Sequence, residues 1–557
     1  MTEPQGPAAA DDTYFTHWAD HAAAKTLKEH PDAALYTCAA GITPSGVVHV
    51  GNFREVITVD LVARALRDRG VPVRFIYSWD DFDVFRKVPA GMPNADLLKA
   101  GLRKSIVDVV DPFGCHDSYA DHHIAAFEAS MVPLGIQPEF IRQSKRYRAG
   151  AYAEGIRRAL ACREEIVAIL NRAREATTAR SKIEEEWQPL AGFCDVCGRD
   201  ELDFTFDPGA GEGLETVGVR CRLCGHEALV DLNDGGNLKL PWRIDWPMRW
   251  AYEGVCFEPG GKDHSTAGGS FDTAKHIVAD IYGGKAPTYI GYDFVRIKGR
   301  AGKISSSSGE VVTVGECLEI YEPELLRWIF ASTRPNTEFQ ISFDLDVIKI
   351  YEDYDRARRL AHEADDGSKG DAKRQIARRT LQLASVDHRR IAPGTPPPRV
   401  PAFRHLTTIL QVYDGDLERT VAHYVAAGEI EGDEETAMAR TRARCAWNWL
   451  KTFAPEEFCY RIRDEAIVRP LSADEAVALG RLVAVLEAEP TISEDDLVPH
   501  MKGLCEGTAL DNKSFLPVVY DLLLGREKGP KVTTLITTMG AMRAVGLLKP
   551  SLPAAAS

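Results

Sequence analysis

Apolar residues first cluster in LYTCAAGI (35–42), a continuous run bounded by turn-forming residues that predicts a buried strand. After the turn Thr43-Pro44-Ser45-Gly46 the period changes. From about His49 to Arg69, Val50, Phe53, Ile57 and Leu61 recur every three or four residues and lay an apolar stripe along one helix face. Gly70 and Pro72 end that helix, and VRFIYSWDD (73–81) supplies a second strand at once. Strand, helix and strand in this order form a βαβ unit, which requires a parallel sheet and a right-handed crossover.

Residues 183–235 interrupt the alternation with two C-x-x-C pairs and the acidic, Gly-rich stretch DPGAGEG, the pattern of a small inserted module. Strand and helix signals alternate again from about 238 to 330. Beyond about 340 the pattern is almost wholly helical, and the Pro-rich break APGTPPPRVP (392–401) has the composition of a linker. The expected organisation is a flexible N-terminus (1–12), an α/β domain in two halves (13–182 and 236–335) around the module, two helical regions (336–392 and 393–550) and a flexible tail (551–557).

A chain of 557 residues accommodates three or four domains of about 100–200 residues each. Hydrophobic residues at 45% and charged residues at 27% exclude general disorder. No run of about 18 apolar residues exists, so no membrane span is expected. MTEPQGPAAADD lacks the basic start and apolar stretch of a secretory signal, which makes a cytoplasmic location the default.

The net charge of −15, from 67 Lys+Arg against 82 Asp+Glu, at first argues against a polyanionic partner. The charge is unevenly spread along the chain. Glu431-Gly-Asp433-Glu434-Glu435 and Glu494-Asp495-Asp496 lie apart from Arg356-Ala-Arg358-Arg359, Lys373-Arg374, Arg378-Arg379, Arg389-Arg390 and Arg440-Thr-Arg442-Ala-Arg444. The last run continues into Cys445-Ala-Trp447-Asn-Trp449. Guanidinium groups beside aromatics neutralise phosphates and stack unpaired bases, although such runs are more often solvated helix faces. A basic face with weak non-specific RNA affinity therefore remains compatible with the total.

Twelve cysteines are too few for a disulfide scaffold. Cys194-x-x-Cys197 and Cys221-x-x-Cys224, each followed by Gly, instead supply four thiolates for a tetrahedral structural Zn²⁺ site, which braces the module rather than performing chemistry. Asp111, Cys115, His116 and His122 are close enough in sequence to form a second tetrahedral site; the competing reading is a turn with satisfied polar side chains.

Gly41-Ile-Thr43-Pro44-Ser45-Gly46-Val-Val-His49-Val-Gly51-Asn52 joins the first strand to the first long helix. In an open α/β sheet the crevice beyond the strand's carboxyl end binds ligand, and the helix N-terminus there offers N–H groups and partial positive charge to an anion. Gly46 and Gly51 permit close backbone approach, and His49 and Asn52 can donate to phosphate oxygens; the plainer reading is a Gly/Pro turn with a helix-capping His. Far downstream, Lys298-Gly-Arg300-Ala-Gly-Lys303-Ile304-Ser305-Ser306-Ser307-Ser308-Gly309 gathers cations and hydroxyls on a Gly/Ser segment. That composition suits closure over a triphosphate, or a solvated linker.

Together and in this order the two segments resemble the HIGH and KMSKS motifs of class I aminoacyl-tRNA synthetases. Leu240-Pro-Trp242-Arg-Ile-Asp245-Trp246-Pro-Met-Arg-Trp250 and Gly261-Lys-Asp263-His264-Ser-Thr-Ala-Gly268-Gly269-Ser270, with GITPSGVVHVGN, resemble the class I lysyl-tRNA synthetase family. The resemblance implies a Rossmann-type α/β catalytic domain with a parallel sheet and an inserted zinc module, followed by an all-α C-terminal anticodon-binding region, with 336–392 touching the tRNA stem. It also implies ATP, Mg²⁺ and Zn²⁺ as cofactors, and L-lysine and tRNA(Lys) as substrates joined through a lysyl-adenylate. His49 and Asn52 take the first and last HIGH positions, and Lys303, Ser305 and Ser307 the first, third and fifth of KMSKS; Ile304 and Ser306 depart from the general motif. ATP is expected on Pro44, Ser45, Gly46, His49, Gly51, Asn52, Asp263 and Lys303, with Asp263 at the ribose.

A lysine substrate brings an ammonium into its pocket, which requires a carboxylate or an aromatic face. Asp80, Asp81 and Asp83 after the second strand, and Asp245, are the candidate acids, Asp81 the one carried forward; Trp242 and Tyr292 are the candidate walls. Gly41 and Thr43 stand where the α-amino group would lie, and His264 is near the ribose site; the tryptophans of WRIDWPMRW are also plausible core residues. A monomer is favoured. Two other readings stay open: a class I synthetase for glutamate, glutamine or arginine, and a catalytically silent tRNA-binding paralogue.

Overall fold

The computed structural model describes residues 15–175, 181–184, 186–206, 216–265, 269–299 and 311–553; the expected N-terminal arm lies outside them. The chain forms two compact units, one of Met1–Leu318, Pro323–Ile341 and Ala357–Thr395, the other of Glu319–Glu322, Ser342–Arg356 and Pro396–Ser557.

In the first unit, helix α1 (Trp18–Glu29) precedes β1 (Tyr36–Ile42), α2 (Val50–Asp68) and β2 (Val73–Trp79), the last three falling where the apolar periodicity predicts. Later come α3 (Tyr119–Met131), β3 (Glu139–Arg142), α4 (Trp242–Glu253), β4 (Val255–Gly261) and β5 (Thr288–Tyr292). The five strands make an all-parallel sheet in the order β5-β4-β1-β2-β3. Strand order runs outward in both directions from the β4/β1 pair, which opens a crevice beyond the carboxyl ends of β1 and β4. Gly254 takes φ +63° after α4, a left-handed cap that lets the chain reverse directly into β4.

Helix α2 is buried beyond its predicted stripe. Val50, Phe53, Ile57 and Leu61 are enclosed, Val59 and Val62 are enclosed on the opposite side, and so are Asp60 and Arg64 on the stripe's own side. These two charges are tolerated because Asp60 pairs with both Arg64 (2.9 Å) and Arg327 (2.6 Å).

The module contains an antiparallel sheet of Leu202–Thr205, Thr216–Cys221 and Glu227–Asp231. At its base Ala191–Gly192 pairs antiparallel with Leu238–Lys239, so the chain leaves and returns at adjacent points.

No strand occurs among the described residues after Ile341. The second unit includes helices Gly432–Thr452, Ala473–Ala488 and Asn512–Leu524, and its core includes Leu479, Leu482, Leu486, Phe515, Leu522 and Leu535. Some residues taken at first as surface are internal. Arg379 pairs with Asp20 and Asp68 (2.6 Å each), and Arg442 with Glu322 (2.6 Å) and Asp355 (2.9 Å). Trp449 is buried and donates Nε1–H to the Phe343 carbonyl (2.9 Å), so these three are structural rather than RNA-facing. Ser551, expected in a flexible tail, is buried and donates to the Ile467 carbonyl (3.0 Å); 554–557 lie outside the described residues.

Candidate active site

The turn after β1 leads into α2, where Asn52 Oδ1 accepts the His49 backbone N–H (3.1 Å) and closes the first turn. A Cβ at Gly51 would lie 2.8 Å from the His49 ring nitrogen, so glycine there lets the imidazole fold over the helix start. The downstream segment returns to the same place. The Val312 carbonyl accepts the Val50 N–H (2.8 Å), Thr313 forms a bridge with His49, and the Val295 carbonyl stands 4.0 Å from the position of that Gly51 Cβ. The Gly/Ser segment thus departs from and re-enters the fold beside the α2 N-terminus. Its Lys303, Ser305 and Ser307 lie outside the described residues, as does the Asp263 side chain; the Asp263 backbone belongs to the turn Lys262–His264 after β4.

In front of this turn opens a cavity of about 940 Å³, lined by Thr43, Ser45, Asn52, Asp83 and Lys239 among others. Pro44, Gly46 and His49 are buried within the turn and Gly51 is half-buried. Gly41, Glu55, Asp80, Trp242, His264 and Tyr292 line both this cavity and a narrower one of about 100 Å³, which continues to Trp246, Arg249, Trp250 and Glu258. Trp242 and Trp246 stack with ring centroids 5.2 Å apart, and His264 leans on Trp242 at 5.3 Å. The structure therefore brings Gly41, Trp242, His264 and Tyr292 to one inner chamber from β1, α4, the turn after β4 and β5.

The expected acids divide. Asp81 is fully buried off both chambers, its carboxylate taken by the Ser144 N–H (2.8 Å) and hydroxyl (2.6 Å) and by Arg142 (2.7 Å), so it ties β2 to β3 and does not meet a ligand. Asp83 accepts from Thr43 (2.8 Å) and Lys239 (2.7 Å), and Asp245 is held by Tyr147 and Arg249. Asp80 does line the inner chamber, paired with Arg249 (2.7 Å).

Two acids escaped the sequence reading. Glu55 accepts the Gly41 N–H (2.9 Å) and the Tyr292 hydroxyl (2.6 Å). Burial pushes its carboxyl up to about 8, with Glu258 and Asp80 adding to the rise and those two hydrogen bonds opposing it. Glu258 accepts indole N–H groups from Trp246 (2.9 Å) and Trp250 (2.5 Å), and burial raises its carboxyl too. The available signal was a lone acid inside the apolar strand VCFEPGG.

Two clusters have metal-ligand chemistry. The four sulfurs of Cys194, Cys197, Cys221 and Cys224 lie within 4.8 Å of one another, with Cys194–Cys224 and Cys197–Cys221 at 3.6 Å. Zn–S bonds of about 2.3 Å in a tetrahedron separate sulfurs by about 3.8 Å, so the set fits. Donor atoms of Asp111, Cys115, His116 and His122 also lie within 4.8 Å, the Cys115 sulfur 3.2 Å from His116 Nδ1 and 3.3 Å from His122 Nδ1. The loop is shaped around Asp111, whose carboxylate accepts the N–H groups of Phe113, Cys115 and His116. Against burial these bonds bring its carboxyl down to about 2. Helix α3 begins beside this cluster, and its Tyr119 hydroxyl donates to the Ser45 carbonyl (3.1 Å). Among the described residues no helix is long and apolar enough to cross a membrane.

Fold and cavities define the class: an α/β protein whose parallel sheet carries a two-chamber cavity where its strand order reverses. A family model described as tRNA synthetases class I (K) matches residues 16–387. A protein of Treponema pallidum named Lysine--tRNA ligase is 43% identical over 536 residues, covering 95% of this chain and 97% of its own. Proteins of the same name from Borreliella burgdorferi and Pyrococcus furiosus are 43% and 37% identical, covering 95% and 94% of this chain and 98% of their own. The chain belongs to the class I (K) tRNA synthetases.

Proposed function

We propose that the protein attaches L-lysine to tRNA(Lys). The observation that carries this reading is similarity to relatives named for that reaction over 95% of the chain. The acid-lined inner chamber beside an anion-ready helix start supports it. ATP lies in the outer chamber against Ser45, Asn52 and the N-terminus of α2, with Pro44, Gly46, His49 and Gly51 shaping the turn and Asp263 holding the ribose. Lysine lies against Gly41, Trp242, His264 and Tyr292, with Thr43 at the mouth.

A lysine carboxylate oxygen attacks the α-phosphorus, forming the lysyl-adenylate as diphosphate leaves. The 2′-hydroxyl of the terminal ribose then attacks the lysyl carbonyl, and AMP leaves. No protein nucleophile is needed, because positioning and charge stabilisation supply the catalysis. Lys303, Ser305 and Ser307, in the segment that resembles KMSKS, act on the triphosphate. Mg²⁺ bound to ATP would offset phosphate charge, and Cys194, Cys197, Cys221 and Cys224, like Asp111, Cys115, His116 and His122, would hold a Zn²⁺ that braces their loops. The helical region 393–550 reads the anticodon and 336–392 touches the tRNA stem; the protein works as a cytoplasmic monomer.

The test is aminoacylation of total tRNA with each labelled amino acid. Lysine alone should be incorporated. Charging with glutamate, glutamine or arginine would overturn the reading, as would tRNA binding without charging.

A further inference from the structure

Adenylation brings two anions together where the chambers join, the carboxylate of the amino acid and the α-phosphate of ATP. The walls there are already acidic: Glu55 and Asp80 line both chambers and Asp83 lines the outer one. Closing like charges in such a site is costly unless a cation stands beside them. Arg249 lines the inner chamber, where Asp80 and Asp245 share it. Arg86 and Lys87 line the outer chamber but are exposed. Among the described residues, Lys239 is the one buried cation on the wall of the outer chamber.

Lys239 lies on the strand by which the inserted module returns to the α/β domain, paired with Ala191–Gly192. Its ammonium donates to the Phe82 carbonyl (3.0 Å) and to Asp83 Oδ1 (2.7 Å), and the rings of Phe82 and Tyr147 lie 5.8 and 6.0 Å away. Asp83 Oδ2 accepts the Thr43 hydroxyl (2.8 Å), so the ammonium stands one carboxylate's width from the turn that leads into α2. Burial opposes its charge, but Asp83 and Asp245 outweigh burial and keep the group protonated. An ammonium has three donors, and these partners take two. Both oxygens of Asp83 are engaged, which leaves the third N–H of Lys239 for the chamber.

Resting on the lysine reading above, we propose that Lys239 is a catalytic residue whose third N–H bridges the attacking carboxylate oxygen and the α-phosphate. The carboxylate oxygen forms its bond to the α-phosphorus, the bond from that phosphorus to the oxygen shared with the β-phosphate breaks, and the electron pair leaves on diphosphate. Lys239 gives up no proton. It offsets the charge of two anions as they close, when both are within its reach. Asp83 is a positioning residue, because it touches the ammonium and Thr43 rather than the reacting atoms. A group that acts chiefly as the reactants close changes kcat more than KM.

The experiment is lysine-dependent ATP–diphosphate exchange by the full-length protein with tRNA present, in Lys239→Met, Asp83→Asn and the double variant. Lys239→Met should lower kcat about 100-fold or more, with the KM values for lysine and ATP within about threefold. It also leaves Asp83 without its cation, which by itself destabilises a fold. The double variant separates the two effects, since an amide replaces the orphaned carboxylate: it should melt close to the unmodified protein and still exchange about 100-fold more slowly. Asp83→Asn alone keeps the cation and should cost about tenfold in kcat. Recovery of exchange in the double variant makes Lys239 only the counter-ion of Asp83 and overturns the proposal, as does a loss confined to KM. Should the double variant not fold, Lys239→Gln keeps an N–H for Asp83 and removes the charge; it should show the same fall in kcat, and undiminished exchange overturns the proposal. Failure of the unmodified protein to exchange with lysine overturns the functional reading itself, and is told apart because no variant is involved.

Discussion

At the scale of single residues, an acid raised into the neutral range makes ligand binding depend on pH. Glu55, pushed up to about 8 chiefly by burial, carries a proton at neutral pH while the chamber is empty. An entering ammonium must displace that proton, so the sign is fixed: cation affinity rises with pH up to the folded value and then levels. The KM for lysine should fall roughly tenfold per pH unit between about 6 and 8 and flatten above, with Glu55→Gln removing the slope. A lysine KM independent of pH over that range would remove Glu55 from the ligand's reach. Periodicity does not reveal such a residue. Glu55 stands between Arg54 and Val56 on a helix that also carries Asp60 and Arg64, and its surroundings are completed by Tyr292, 237 positions away.

Elements were easier to read than their surroundings. The stripe Val50, Phe53, Ile57, Leu61 located α2 within a residue or so, because an apolar face is a local property of the chain. The expectation that Asp81 meets the ligand failed because strand alternation does not say which of three neighbouring acids Arg142 and Ser144 capture. The two metal clusters lie between these extremes. Cysteine spacing alone nominates the first, whereas the second needs a loop that presents Asp111, Cys115, His116 and His122 together. Elemental analysis should find about two Zn²⁺ per chain, and Cys197→Ser or His116→Ala should each leave about one. His116→Ala should also raise the KM for ATP more than that for lysine, since α3 beside it reaches the Ser45 carbonyl through Tyr119. One metal in the unmodified protein would remove the second site.

Across the whole molecule, a balance of −15 leaves room for a basic face where arginines stand clear of acids, but in the helical regions several of them already have acidic partners. Arg374 faces Asp365, Asp366 and Asp371, Arg399 faces Glu431 and Glu435, Arg440 faces Glu418, and Arg379 and Arg442 lie inside. Each such pair must open before its guanidinium can neutralise a phosphate, and opening costs part of what the phosphate contributes. Few counterions are then released on binding. Between 50 and 200 mM salt a protein with six to ten phosphate contacts loses about 10³–10⁵ in affinity; about four contacts would give a loss near 10². Anisotropy titrations of labelled tRNA(Lys) should follow the shallower slope, with bulk RNA a weak competitor, so that discrimination rests on shape and base contacts rather than on attraction to phosphate. A loss in the steeper range would mean that the acidic partners yield to RNA, and the charge total would then have understated the basic face.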